Sequence, residues 1–192
     1  MPSILLDRSG GRLAPVARHA FVIVAGVGLM VIAAKTQIPF WPVPMTLHTL
    51  AVMAFAVALG PRMAVSIVAA YLVVGAAGLP VFSGSPERGI GFAYLFGPTG
   101  GYLAGYLVAS WLVGMLASGR RQAGQFIAML AGLALVYATG MGWLALFVPV
   151  SQLATVGLWP FLLGDLLKLG VVAAGSALLP IVFSGLSAWW RR

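Results

Sequence analysis

The feature that most constrains this chain is a series of long apolar runs separated by short connectors, several of which carry arginine. Six runs stand out, at about residues 20–38, 45–59, 63–79, 97–117, 125–147 and 158–183, most of them near the roughly 20 residues a helix needs to cross a bilayer core of about 30 Å. Backbone in lipid must satisfy its own hydrogen bonds, so such runs are expected to be helices. The expected fold is an all-α integral membrane protein with six transmembrane helices. The second run is short, and the stretch 140–143 offers a point at which the fifth can bend.

Charge placement supports the even number. With the N-terminus cytoplasmic, Arg8, Arg12, Arg18, Arg62, Arg120, Arg121, Arg191 and Arg192 all fall on the cytoplasmic side, and only Arg88, beside Glu87, lies in an outer loop. Cytoplasmic loops carry the excess of Lys and Arg in membrane proteins. Five or seven passes would scatter these residues. Both termini are therefore expected in the cytoplasm of a multi-pass cell-membrane protein. The whole of 1–192 is expected to form a single membrane domain: a tail over 1–19, a core over about 20–183 and a tail over 184–192. The opening MPSILLDRSGGRLAPVARH is too polar to be a cleaved signal peptide.

Composition narrows the function classes. Only 7% of the residues are charged, against roughly 25% in soluble domains, so no soluble module is expected. The net charge of +8 is spread thinly between apolar runs, whereas nucleic-acid binding needs a clustered basic face. There is no cysteine, and two His with three acidic residues leave little for a metal cluster. The phosphate-binding pattern G-x-x-x-x-G-K-[ST] is missing, at GPTGG (97–101) as elsewhere. Neither H-E-x-x-H nor a Ser, His and acid arrangement occurs. An enzyme or a self-sufficient ATPase is not expected.

Against that background one segment is anomalous. GLWPFLLGDLLKLGVV (157–172) is apolar except for Asp165 and Lys168. An ionised side chain near the bilayer centre costs about 2.5–3.5 kcal/mol on insertion scales, so such residues face the bundle interior and find partners. Positions i and i+3 share a helix face, so this pair can point into one cavity, roughly two turns below the outer surface. Either the two form an ion pair that holds helices together, or they present a fixed acceptor beside a fixed donor to a solute with adjacent N–H and C=O groups.

Other polar and irregular features also gather in the outer half. Lys35, Thr36 and Gln37 end the first span. In IPFWPVPMTLHTL (38–50) the prolines forbid helix between residues 39 and 44, so an ordered extended connection is expected, and such backbone at membrane depth lines a cavity or is buried by protein. Phe40 and Trp41 are either interfacial anchors or the walls of an apolar pocket. His48 is either a hydrogen-bonded packing residue or a polar pocket contact, while His19 is expected at the interface. In GLPVFSGSPERGIGFAYLFGPTGGYLAGY (78–106), Gly97, Gly101 and Gly105 recur at four-residue spacing and should let the fourth span approach a neighbour closely.

IPFWPVPMTLHTLAV, GLPVF followed by GPTGGYLAG, and PFLLGDLLK occur in this order and spacing between residues 38 and 168. In these motifs the chain resembles the BioY family, the biotin-specific substrate-capture subunits (S components) of energy-coupling factor transporters. The resemblance implies a six-helix S-component fold that binds biotin near the outer surface as the transported ligand, without a cofactor. It also implies partners: a transmembrane coupling subunit (T component) and cytoplasmic ATPases of the ABC type, which supply the energy for inward release by toppling. The family's acid and base of the sixth helix fall on Asp165 and Lys168. Where members often carry Gln, this chain has His48, and the polar loop residues Ser83, Ser85, Glu87 and Arg88 vary in the family.

Biotin's chemistry matches these residues. Its ureido ring offers two N–H groups and a carbonyl, suited to Asp165 and Lys168. Phe40, Trp41, Phe82 and Tyr94 would wall the ring and aliphatic tail, and Arg88 or Lys35 would meet the carboxylate. In related capture subunits a small-residue first helix meets the coupling subunit, which here points to Ala25, Gly26 and Gly28. Three other readings remain at this point: a capture subunit for another small vitamin, an intramembrane enzyme using Asp165 and Lys168 as acid and base, and a structural membrane protein locked by their ion pair.

Overall fold

The computed structural model describes residues 10–38 and 41–178, with side chains for 16–38 and 41–177. Residues 10–19, expected as part of the N-terminal tail, already belong to helix α1, while residues 1–9, the expected C-terminal tail and Phe40 among the candidate site residues lie outside the described residues. Among them five helices are long and apolar enough to cross a membrane. They belong to α1 (Gly10–Lys35), α2 (His48–Ala76), α4 (Gly100–Ala117), α5 (Gln122–Leu144) and the segment Val150–Ala177, which contains the short α6 (Leu153–Gly157) and the long α7 (Trp159–Leu178). A further short helix, α3 (Gly91–Leu95), sits in the long loop.

One of the five contributes two passes. Within α2, Gly60 has φ 78° and ψ 177°, and Pro61 follows it. Glycine tolerates that left-handed φ, and proline suits the first turn of the helix that resumes. His48 and Tyr71, 23 residues apart in sequence, hydrogen-bond at 2.9 Å, although an uninterrupted helix would separate them by roughly 35 Å. The two arms, 48–59 and 61–76, therefore run antiparallel. Six passes result, in agreement with the sequence. The fifth pass, by contrast, stays helical through residues 140–143.

The glycine spacing of α4 is explained by its neighbour. A Cβ at Gly105 would lie 3.0 Å from the Val136 Cα, and one at Gly101 would meet the Trp143 Cβ and the Thr139 carbonyl oxygen. Both glycines let α4 press directly onto α5, as predicted. The fit is reciprocal, because Gly140 of α5 receives the ring of Tyr102. Two apolar clusters fill the interior, one around Met53, Val113, Met129 and Leu169, the other around Met30, Ile67, Tyr71 and Phe82. Large apolar side chains such as Phe21, Trp111, Ile127 and Leu163 point outward, as a lipid solvent permits.

Between α1 and α2 the proline-rich connection forms a small antiparallel ribbon. Strand β1 (Gln37–Ile38) pairs with β2 (Met45–Thr46), in the register Gln37 with Thr46 and Ile38 with Met45. The residues that flank the proline segment thus pair with each other in the ribbon instead of continuing a helix. At the opposite end of the bundle, Gly114 lies so close to Pro61 that a Cβ there would be 2.6 Å from the Pro61 Cα. This contact puts the bend at Gly60 and Pro61, with Arg62 just beyond it, beside the end of α4 that leads to Arg120 and Arg121. The arginine loops thus share one end, and the ribbon, long loop and Asp165 share the other.

Candidate functional site

Asp165 and Lys168 face inward from α7, as their spacing predicts, and form an ion pair at 2.8 Å. Asp165 is only 6% exposed, and a buried carboxylate needs further donors. Tyr137 of α5 supplies one, its hydroxyl donating to Oδ2 at 2.7 Å, while Oδ1 takes Lys168 Nζ. The ammonium also donates to the Thr46 carbonyl oxygen of the ribbon at 2.6 Å. These bonds stitch α5, α7 and the ribbon together. They also leave capacity at both charged groups. An ammonium has three donors and a carboxylate about four lone-pair positions. Two of each have protein partners in these bonds.

The pair lines a cleft whose empty space, counted out through its open mouth, is about 330 Å³. Thr46, Thr49, Tyr102, Tyr106 and Tyr137 give its remaining polar edge, and Val43, Met45, Val136 and Phe161 its apolar lining. Apart from Asp165 and Lys168, none of these was singled out from the sequence. A signal was present. A tyrosine buried in a span needs a partner for its hydroxyl, and Tyr102, Tyr106 and Tyr137 all line this one cleft.

The other predicted residues occupy the surroundings of the cleft. His48 is buried behind the wall, with Nδ1 2.8 Å from Thr46 Oγ1 and Nε2 2.9 Å from the Tyr71 hydroxyl. Its ring stacks on Tyr106 at a centroid separation of 5.4 Å. Phe82 and Tyr94 stack on each other at 4.7 Å, and the Tyr94 hydroxyl donates to the Ser83 carbonyl at 2.6 Å. Neither lines the cleft. Phe82 fills the space that Gly75 leaves open.

Lys35 extends from the end of α1 into the long loop, donating to the carbonyl oxygens of Phe82 (3.0 Å) and Ser85 (2.7 Å) and meeting Ser85 Oγ at 3.1 Å. Ser83 adds a second tie across the same junction by donating to the Gln37 side chain. Arg88 points to the ribbon connection instead. Its Nη1 donates to the Pro42 carbonyl at 3.3 Å, and its guanidinium carbon sits 5.5 Å from the exposed Trp41 ring. The long loop and the ribbon connection therefore close over the same end of the bundle.

The family model described as BioY family matches residues 7–183. The chain belongs to the BioY family. It is 40% identical over 156 residues to the biotin transporter BioY of Thermotoga maritima, covering 79% of this chain and 90% of that one. It is also 32% identical over 152 residues to the probable biotin transporter BioY of Pyrococcus horikoshii, with 79% and 90% covered. Among solved structures, the S-component for biotin from an ECF-type ABC transporter matches with a TM-score of 0.75 at 24% identity, covering 95% of this chain and all of the other. That last likeness speaks to the fold, which is that of an S component.

Proposed function

We propose that this BioY-family chain is the biotin-capture subunit of an energy-coupling factor importer. The observation that carries the reading is the pairing of Asp165 with Lys168 at the cleft, each held by protein and each with hydrogen-bonding capacity left. A ureido ring presents a carbonyl beside two N–H groups, so Lys168 would donate to the former and Asp165 accept from the latter. The apolar lining would take the bicyclic ring and tail, and Phe161 and Val43 are better placed for this than Phe82 or Tyr94. Arg88, beside the exposed Trp41 ring at the rim, would meet the carboxylate.

In this reading the protein is one membrane domain with both termini in the cytoplasm. Biotin enters from the side of the ribbon and long loop. A T component and ABC-type ATPases supply the energy, so the capture subunit needs no cofactor. The coupling subunit would dock on the outward face of α1, where Ala25 and Gly28 lie exposed. The small-residue patch expected there is divided, because a Cβ at Gly26 would stand 2.7 Å from Ile67 Cδ1 whereas one at Gly28 would meet nothing.

Equilibrium binding of labelled biotin to the detergent-purified protein tests the capture role, with unlabelled biotin, riboflavin and thiamine as competitors. Saturable binding displaced by biotin alone is expected. Displacement by another vitamin would move the specificity, and folded protein that binds none of them would favour a purely structural ion pair.

A further inference from the structure

A neutral imidazole offers one donor and one acceptor, and its neighbours decide which nitrogen is which. Around His48 they leave a single arrangement. The Tyr71 hydroxyl lies 3.2 Å from the Val81 carbonyl oxygen, which can only accept, so the tyrosine proton points there. That hydroxyl oxygen must then accept from His48, which places the imidazole proton on Nε2, 2.9 Å away. Nδ1 is left as the acceptor and takes the Thr46 hydroxyl proton at 2.8 Å. Thr46 Oγ1 in turn accepts the backbone N–H of His48 at 3.3 Å.

Each group in this line has one role, and the line ends at the cleft. The Thr46 carbonyl holds Lys168 Nζ at 2.6 Å, and Lys168 holds Asp165. His48 itself is 3% exposed and does not line the cleft, but it backs two residues that do, Thr46 by the hydrogen bond and Tyr106 by stacking.

We propose that His48 is a positioning residue that fixes Thr46, and through the Thr46 carbonyl the direction of the Lys168 ammonium, so that the site prefers a ligand with a carbonyl acceptor at the ureido position. The inference rests on the biotin reading above. It predicts which replacements work. A leucine would leave the Thr46 and Tyr71 hydroxyls buried without their partner, which is costly. A carboxamide has an oxygen that accepts and an N–H that donates, so glutamine can hold both neighbours.

The test compares biotin with 2-iminobiotin, in which an imino group replaces the ureido carbonyl, by equilibrium binding to the full chain in detergent. His48→Leu should weaken biotin about tenfold, the scale of one buried hydrogen bond to a charged group, and should shrink the preference for biotin over 2-iminobiotin by a similar factor. His48→Gln should restore both quantities. Tyr71→Phe, which leaves the cleft lining intact and removes only the far partner, should shift the preference in the same direction by less, and it carries the test if His48→Leu does not fold.

Unchanged preference in His48→Leu and Tyr71→Phe would overturn the proposal, as would an equal loss for both ligands, which is the mark of packing alone. Failure of His48→Gln to rescue would also count against it. If the unaltered protein binds no biotin, the functional reading fails first, so the two failures are distinguishable.

Discussion

Helix α5 is gripped on two sides by opposite means. Toward α4 the contact depends on side chains that are absent. Gly101 and Gly105 leave room for Trp143, Thr139 and Val136, and Gly140 makes room for Tyr102. Toward α7 the contact at the ribbon end depends on polar atoms, with Tyr137 donating to Asp165 and Asp165 paired to Lys168. In lipid, close packing of small residues is a main source of helix association. Such a seam has one arrangement. The polar junction can exchange or add partners, because its charged groups accept and donate more bonds than they make. The rigid seam sets the position of one cavity wall, and the polar junction is left free to respond to a ligand.

The largest expected effect follows from breaking the rigid side. Gly101→Leu places a branched chain where even a Cβ would collide with Trp143 and the Thr139 carbonyl, and it should yield no monodisperse protein in detergent. Gly101→Ala is the graded version. Overpacking typically costs about 1–3 kcal/mol, which should appear as a lowered unfolding temperature. A parental temperature would mean that the seam yields more than its backbone contacts indicate.

Next in size is damage to the polar side. Lys168→Ala removes the proposed donor to the ligand and, of the two hydrogen bonds to Asp165 described above, leaves that from Tyr137. Hydrogen bonds to charged groups contribute about 1.5–3 kcal/mol, so biotin affinity should fall by about one to two powers of ten. Asp165→Asn should act in the same range through the N–H side of the ring. If both variants kept parental affinity, the ligand would not sit on this pair.

The two sides also differ in how far the sequence reveals them. Six passes, the close approach of α4 and the shared face of Asp165 and Lys168 were all legible, because each follows from a period: run length, four-residue glycine spacing, and i to i+3. The partners were not. Tyr137, Thr46 and Tyr106 come from different elements, and nothing local distinguishes a tyrosine whose hydroxyl meets a carboxylate from one that packs. Phe82 and Tyr94 show the converse. Their neighbourhood in the long loop suggested a pocket wall, yet the turn at residues 78–84 folds Phe82 back into the gap at Gly75, a long-range fit that composition does not encode. The same limit divides Gly26 from Gly28. Two residues apart on a smooth patch, they face Ile67 and open space respectively.

That division extends the comparison to the outer surface of α1, which packs least of the spanning helices. Gly28→Leu should leave folding and biotin binding intact while weakening assembly with the coupling subunit and ATPases, by about tenfold if overpacking there costs near 1.4 kcal/mol. Gly26→Leu should instead lower the unfolding temperature, since the added chain meets Ile67 inside the bundle. Co-purification and thermal unfolding of the two variants separate these outcomes. A normal complex with Gly28→Leu would move the docking surface elsewhere.

The smallest effect concerns the rim, where polar contacts are most exposed to water. Trp41 is 77% exposed, and the Arg88 guanidinium carbon lies 5.5 Å from its ring. An exposed contact of this kind is worth about 0.5–1 kcal/mol, so Trp41→Ala should weaken biotin only about two- to fivefold. Arg88→Ala should weaken it more, because the charge itself is lost. Both losses should vanish when biotinamide replaces biotin, since an uncharged tail end has no use for the guanidinium. Equal losses for acid and amide would instead make Arg88 and Trp41 a clasp between the long loop and the ribbon connection. In that case the rim, like the α4 seam, acts by holding shape, and the carboxylate is met by another group.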